Sequence, residues 1–153
     1  MINTRIAYTQ EDGSVAIVMP TPEFCACPDS DVYKLAQKSM PLGTHFEVLD
    51  VADIPTDRYF RNAWRLGAPL SKSIDIDRPH AERIHLDCLR KVRNQKLEEL
   101  DLPFQFALES KDIMMQNNIA SKKQALRDMP QNCNMDLLDT TDKIKAFVPD
   151  ILQ

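Results

Sequence analysis

Proline constrains this chain more than any other residue type. The 153 residues include ten prolines and only three glycines. Because proline has no backbone N–H and a fixed φ angle, it ends strands and kinks or ends helices. The sequence therefore predicts short blocks of secondary structure. The scarcity of glycine leaves few left-handed turns and excludes a glycine-rich phosphate-binding loop.

Composition and charge limit the possible partners. The length suits one domain or two small subdomains, and 43% hydrophobic with 27% charged residues is typical of a globular protein. The net charge is −4, with both signs interspersed. The most basic segment, residues 83–96, is interrupted and flanked by acidic residues, which favours a solvated helix face. We therefore predict no nucleic-acid partner.

Hydrophobic patterning gives no membrane signal. The chain has no run of eighteen apolar residues, and residues 1–5 contain no hydrophobic signal core. We expect no membrane partner and a cytoplasmic location, from which the protein could leave inside an assembled particle.

The first third of the chain has the pattern of a small antiparallel sheet. Residues 5–9 and 14–19 are rich in β-branched residues, and the Asp12-Gly13 pair between them favours a tight hairpin turn. Pro20 ends the second strand. Residues 45–51 alternate in part and predict a third strand, which the hairpin needs for stability.

Two short helices are predicted beside these strands. Acidic and hydroxyl residues at 28–31 can cap a helix that runs to Met40. Residues 54–66 predict a second, amphipathic helix with Trp64 on its apolar face. For Trp64 a role as a core or subdomain-contact anchor is favoured over stacking on a ligand.

The character of the sequence changes after residue 68. We predict a β-rich α+β subdomain at residues 1–68, a connector at 69–76 and a helical subdomain at 77–153. The predicted fold class is therefore α+β, with an N-terminal antiparallel β unit and short helices, then an antiparallel helical hairpin and a short terminal helix.

Caps and prolines delimit the predicted helices of the second half. Asp77 is a candidate cap for the first long helix, which Pro103 kinks or divides. Residues 110–112 predict a turn, and a second long helix runs from Ile113 to Met129, where Pro130 ends it. Two long helices joined by a short link should fold back antiparallel. Thr140 or Thr141 begins the terminal helix, which Pro149 ends.

Catalytic motifs are absent from the sequence. It contains no H-E-x-x-H, G-x-S-x-G, Walker or G-x-G-x-x-G pattern. His80 and His85 are five residues apart, so they lie on different helix faces and cannot form an i, i+4 metal pair. We predict no enzyme activity, no cofactor, no metal site and no small-molecule substrate.

Three weaker chemical interpretations remain open. Cys25 or Cys27 with His45 could form a nucleophile and base, although no local signature supports it. Asp75 and Asp77 could hold a cation, but helix capping explains them more simply. Reduced, structural thiols are favoured over a metal site or a disulfide for all four cysteines, at positions 25, 27, 88 and 133.

The remaining signal is that of a protein-interaction module. Phe104 and Phe106 precede two adjacent methionines, Met114 and Met115, on the predicted hairpin. Such residues suit adaptable docking, or they fill the protein's own core. The candidate packing or interface anchors are Trp64, Phe104, Phe106, Met114, Leu126 and Phe147.

Several segments carry a family resemblance, in the same order along the chain. Residues 84–94, 100–104 and 122–130 resemble small proteins encoded in alphaproteobacterial prophages, as do residues 142–149 at the end. Residues 5–20 and 47–64 are similar to segments of the same group. Lys122 to Pro130, KKQALRDMP, also resembles phage tail-assembly-chaperone and tail-fibre-assembly proteins.

The resemblance implies a role without a catalytic mechanism. The expected partners are phage tail or tail-fibre proteins, or further copies of this chain in a homo-oligomer. The expected location is the host bacterial cytoplasm during assembly, with retention in the virion left open. Lys111 replaces the usual glycine of the hairpin turn, and Phe147 replaces the usual tryptophan. The alternative is a free regulatory or host-interaction protein.

Overall fold

The α+β class predicted from the sequence is confirmed. A computed structural model describes residues 3–27 and 31–153. The chain divides into two compact units, one ending at His80 and the other running from Ala81 to Gln153. Strands lie in the first unit, and the second is helical.

A three-stranded antiparallel sheet with the order β2-β1-β3 organises the first unit. Its strands are β1 (Thr4–Thr9), β2 (Val15–Val18) and β3 (Phe46–Asp50). The predicted hairpin is confirmed, with Gly13 at a φ of 79°. Asp12 accepts hydrogen bonds from the Ser14 hydroxyl and N–H at 2.6 and 2.9 Å. These bonds hold the pKa of Asp12 below its usual range.

The central strand β1 is covered on both faces. Neighbouring side chains of a strand point to opposite faces, and Ile6 and Ala7 are both fully buried. Ala7 belongs to the main core cluster of this unit, which also contains Val15, Leu49, Trp64 and Ile74.

Two short helices follow β2. In α1 (Pro22–Ala26), a helix that was not predicted, the hydroxyl of Thr21 accepts from the Phe24 N–H at 3.3 Å. The predicted helix up to Met40 is confirmed as α2 (Val32–Ser39), where Asp31 accepts from the Tyr33 N–H at 2.9 Å. Residues 28–30, predicted as part of its start, lie outside the described residues.

The helix predicted over residues 54–66 is wrong. The structure instead has 3-10 turns at Val51–Asp53 and Arg61–Ala63, then strand β4 (Trp64–Leu66). This strand pairs antiparallel with β5 (Ile74–Ile76), which lies within the stretch interpreted as a connector. Trp64 and Leu66 lie on the same face of this strand pair and pack into the core. Their burial in the strand conformation therefore outweighs the helix preference that the spacing of the aromatic residues indicated.

The long helix α3 (Arg78–Glu99) begins at the predicted cap. The Asp77 carboxylate accepts from the His80 N–H at 3.3 Å, and Pro79 lies in the first turn, where its missing N–H costs nothing. The predicted separation of helices near Pro103 is confirmed. Pro103 is the third residue of α4 (Asp101–Glu109), after a break at Leu100.

Helices α4 and α5 (Ile113–Asn132) form the predicted hairpin. Its turn places Lys111 at a φ of 56°, the left-handed conformation that glycine favours. The Asp112 carboxylate caps α5 by accepting from the Met115 N–H at 2.9 Å. The short-turn prediction for residues 110–112 is therefore confirmed, and a lysine adopts the glycine-like conformation.

The predicted end of α5 at Pro130 is wrong, because the helix continues to Asn132. Pro130 removes only its own N–H bond, and the Cys133 N–H still donates to the Met129 carbonyl at 3.1 Å. The terminal helix is confirmed as α6 (Thr141–Ala146), where Thr140 accepts from the Lys143 N–H at 3.3 Å. A 3-10 turn at Asp150–Leu152 follows.

Candidate interaction surface

Polar contacts hold the α4–α5 hairpin in antiparallel register. The Lys123 ammonium lies 2.6 Å from an Asp101 carboxylate oxygen and 4.9 Å from the centroid of the Phe104 ring. Nearer the turn, the Gln116 side chain donates to the Ala107 carbonyl at 2.9 Å. These contacts fix which side chains face inward and which remain at the surface.

Large apolar side chains are concentrated around the hairpin turn. Phe106 is 58% exposed and Met114 is 82% exposed. Three further exposed apolar residues lie within the same ten-residue stretch. We call this surface the hairpin tip, formed by Phe106, Leu108, Ile113, Met114 and Met115.

The density of exposed apolar residues makes the hairpin tip a candidate protein-binding surface. A single exposed leucine is normal in a soluble protein, whereas a cluster indicates an interaction site. The two methionines can adapt to the shape of a partner because their side chains are flexible. The phenylalanine ring can bury a large area in the contact. None of these five side chains can donate a proton.

The structure separates the six predicted anchors into three groups. Trp64 and Leu126 are buried in the first and second unit respectively. Phe104 and Phe147 are half-buried. Phe106 and Met114 are exposed at the hairpin tip, where Leu108 and Ile113 join them without having been predicted as anchors. The exposure of Leu108 and Ile113 could have been predicted from their position beside a tight turn, because a turn provides few neighbours to cover them.

The segment Lys122–Pro130 mainly builds the hairpin. Leu126 and Met129 are buried, as their helical spacing predicts. Lys123 packs over Phe104. A shallow hollow of about 380 Å³ opens beside this segment and includes Leu126, Leu100 and Ile151 in its wall.

His85 is a structural residue of the helical unit. It is buried on α3, and its Nε2 atom lies 2.7 Å from the Phe147 carbonyl oxygen just beyond α6. The bond ties the terminal segment to α3. A buried histidine engaged in this way needs no catalytic or metal-binding explanation.

Glu47 is a buried carboxylate of the first unit. Its two oxygens accept hydrogen bonds from the backbone N–H groups of Leu70 and Lys72, the latter at 3.1 Å. Both residues have positive φ angles, 69° and 50°. The carboxylate therefore stabilises a strained loop between β4 and β5, and its acceptors are engaged in structure.

His45 and Asp77, which were considered for nucleophilic or metal chemistry, each have a charged neighbour in the fold. His45 Nε2 has Glu47 as its charged neighbour, at 3.9 Å. Asp77 caps α3 and pairs with Arg65 at 3.2 Å. Across residues 3–27 and 31–153, no group of three His, Cys, Asp or Glu side chains could hold a metal ion.

The four cysteine thiols are free, and two of them should differ in reactivity. Burial raises the pKa of Cys133, whose thiol donates to the Met129 sulfur at 3.3 Å, whereas Cys27 is exposed. Because only the thiolate reacts, a raised pKa lowers the reactive fraction at a given pH. We expect iodoacetamide at pH 8 to alkylate Cys27 roughly tenfold faster than Cys133. Peptide mass spectrometry over time measures both rates, and equal rates would contradict the assignment.

No helix in the described ranges is long and apolar enough to cross a bilayer.

Comparisons with known proteins add no relative. No protein-family model, no curated protein and no solved structure matches this chain.

Proposed function

We propose that this chain is a non-enzymatic bacteriophage or prophage tail protein, either a structural component of the tail or tail fibre or an assembly factor. It acts through protein–protein contacts. Its partners are tail or tail-fibre proteins, and further copies of the chain in a homo-oligomer are the other candidate.

The hairpin tip is the observation that carries this proposal. Five large apolar side chains around one turn are 43% to 82% exposed to water. A partner that covers them gains the hydrophobic free energy that the monomer leaves unused. The tail context comes from the resemblance of segments such as Lys122–Pro130 to prophage and tail-assembly proteins.

The two units have different roles in this proposal. Contacts such as the Lys123–Asp101 pair and the Asp112 cap hold the hairpin in a defined shape. A rigid presentation of apolar anchors lowers the entropy cost of binding. The β unit provides a second contact surface.

Replacing Phe106 and Met114 together by serine tests the contact surface. We expect association with tail proteins to weaken at least about 30-fold, because anchor residues at interface centres typically carry 2 kcal/mol or more. The free energy of unfolding should change by less than about 1 kcal/mol, since both side chains are exposed. Co-purification from the lysate of an induced host, with quantitative mass spectrometry, measures the association.

Leu137→Ser is the matched control for this variant. Leu137 is also an exposed apolar residue of the helical unit, but it lies away from the hairpin turn in sequence. It should leave tail association unchanged. If the unmodified chain associates with no tail protein and is absent from purified particles, the proposal fails and a free regulatory or host-interaction protein is favoured. Stoichiometric presence in particles indicates a structural part, and association only before maturation indicates an assembly factor.

A further inference from the structure

A second surface, in the first unit, has a different chemistry. A hollow of about 420 Å³ lies between the three-stranded sheet and the segment that follows β3. Its volume is within the range of small-ligand sites. The residues that matter here are Arg5, Ile17, Ile54, Arg58, Arg61 and Trp64.

All the charged side chains that line this hollow are positive. Three arginines line it and no aspartate or glutamate does, whereas the chain as a whole has a net charge of −4. Arg5 donates to the uncharged Thr4 carbonyl at 3.0 Å. Within the described residues, neither Arg58 nor Arg61 has an ion-pair partner. The lining therefore attracts an anion.

The rest of the wall is apolar and contains an unusual indole. Ile17 and Ile54 pack against the core cluster that includes Trp64. The Trp64 Nε1 atom is buried without a hydrogen-bond partner in the described part of the chain. Buried indole N–H groups usually have an acceptor. Trp64 lines the hollow, while its Nε1 atom is itself enclosed by the protein.

We propose that this hollow, the arginine pocket, binds a compact oxyanion carried on an apolar group. The guanidinium groups match the planar or tetrahedral oxygens of a carboxylate or phosphate, which they can bind through two parallel hydrogen bonds. The isoleucines and Trp64 cover the apolar group. This ligand class lies outside the proposed tail contacts and departs from the expectation that the chain has no small-molecule ligand.

The single tryptophan makes the proposal directly measurable. Trp64 is the only tryptophan of the chain, so its fluorescence and its indole N–H resonance report on the pocket wall and on the core cluster behind it. The probes are N-acetylphenylalanine, which carries a carboxylate, and phenyl phosphate. N-acetylphenylalaninamide is the neutral control. We expect a saturable change with at least one anion and none with the amide.

The variant Arg58→Gln/Arg61→Gln should weaken the apparent affinity about tenfold or more, because charge-assisted bonds supply most of the recognition. Arg90→Gln is the matched control, since Arg90 is an exposed arginine of the second unit that pairs with Asp87 at 2.7 Å. It should leave the response unchanged. Both substituted pocket arginines are exposed, so the variant is expected to fold.

Each outcome has a defined meaning. A response to N-acetylphenylalanine indicates a carboxylate ligand, and a response to phenyl phosphate alone indicates a phosphate ester. The proposal is overturned by the absence of a saturable response, by an equal response to the amide, or by full affinity in the double variant. A ligand-dependent shift of the Trp64 indole resonance in the unmodified protein tests the same site without any substitution, and no shift at saturation overturns the proposal.

Discussion

Trp64→Ala is expected to lower the free energy of unfolding of the first unit by roughly 4 kcal/mol, the usual cost of removing a large buried aromatic side chain. Trp64 is 1% exposed and packs in the cluster with Ala7, Val15, Leu49 and Ile74. Its loss leaves a cavity between the two sheets. Because a small domain has only about 5–15 kcal/mol of stability, the variant should be largely destabilised.

Amide hydrogen exchange in β1 and β3 measures this effect without the lost fluorophore. Protection of these strands should fall by two to three orders of magnitude, on the order of what 4 kcal/mol implies. Trp64→Phe retains most of the packing and should cost clearly less. A change below about 1 kcal/mol for Trp64→Ala would show that the residue is not the centre of this core.

Glu47→Ala is expected to cost about 3 kcal/mol, because hydrogen bonds to a charged group are each worth roughly 1.5–3 kcal/mol. The substitution leaves the N–H groups of Leu70 and Lys72 without their acceptor. It also releases two residues held at positive φ angles, so the loop should lose its defined conformation. Urea unfolding measures the stability, and the amide resonances of Leu70 and Lys72 report the loop.

Two further variants separate this mechanism from a general charge effect. Glu47→Gln retains one acceptor oxygen instead of two, so an intermediate loss is expected. Asp75→Ala removes an exposed carboxylate from β5 and should change stability by less than about 0.5 kcal/mol. If Glu47→Ala behaves like Asp75→Ala, the carboxylate does not stabilise the loop.

Local sequence patterns predicted much of the fold. The Asp12-Gly13 pair predicted the turn between β1 and β2, because a tight turn needs a residue that tolerates positive φ. Asp31, Asp77 and Thr140 marked helix starts, since their side chains can accept from free backbone N–H groups. These signals depend on residues within a few positions of one another.

The segment between β3 and α3 was not predictable in the same way. Residues 54–66 have aromatic residues at helical spacing, but Trp64–Leu66 pairs with a strand ten residues away. Strands of three residues are too short to display a period of two. Glu47, which was not predicted as a structural anchor, holds the loop between them from a different sheet.

For the two candidate binding surfaces, too, the sequence predicted some of the residues and the tertiary structure decided how they are placed. From the sequence, Phe106 and Met114 were predicted as packing or interface anchors, and it stayed open whether they fill the core or contact a partner. Their exposure depends on where the hairpin turn places them, which no local pattern specifies. The arginine pocket combines Arg5 of β1 with Arg58 and Arg61, more than fifty residues later, so only the folded chain brings these charges together.

Composition, prolines and capping residues were enough to establish the α+β class, the β1–β2 hairpin, the helical hairpin and the starts of α2, α3, α5 and α6, because those features arise from interactions between near neighbours. The exposure of the hairpin tip, the Glu47 contacts and the arginine pocket arise from contacts between distant segments. Their geometry depends on which faces are buried when the chain packs, and burial is a property of the whole fold rather than of any local stretch of residues.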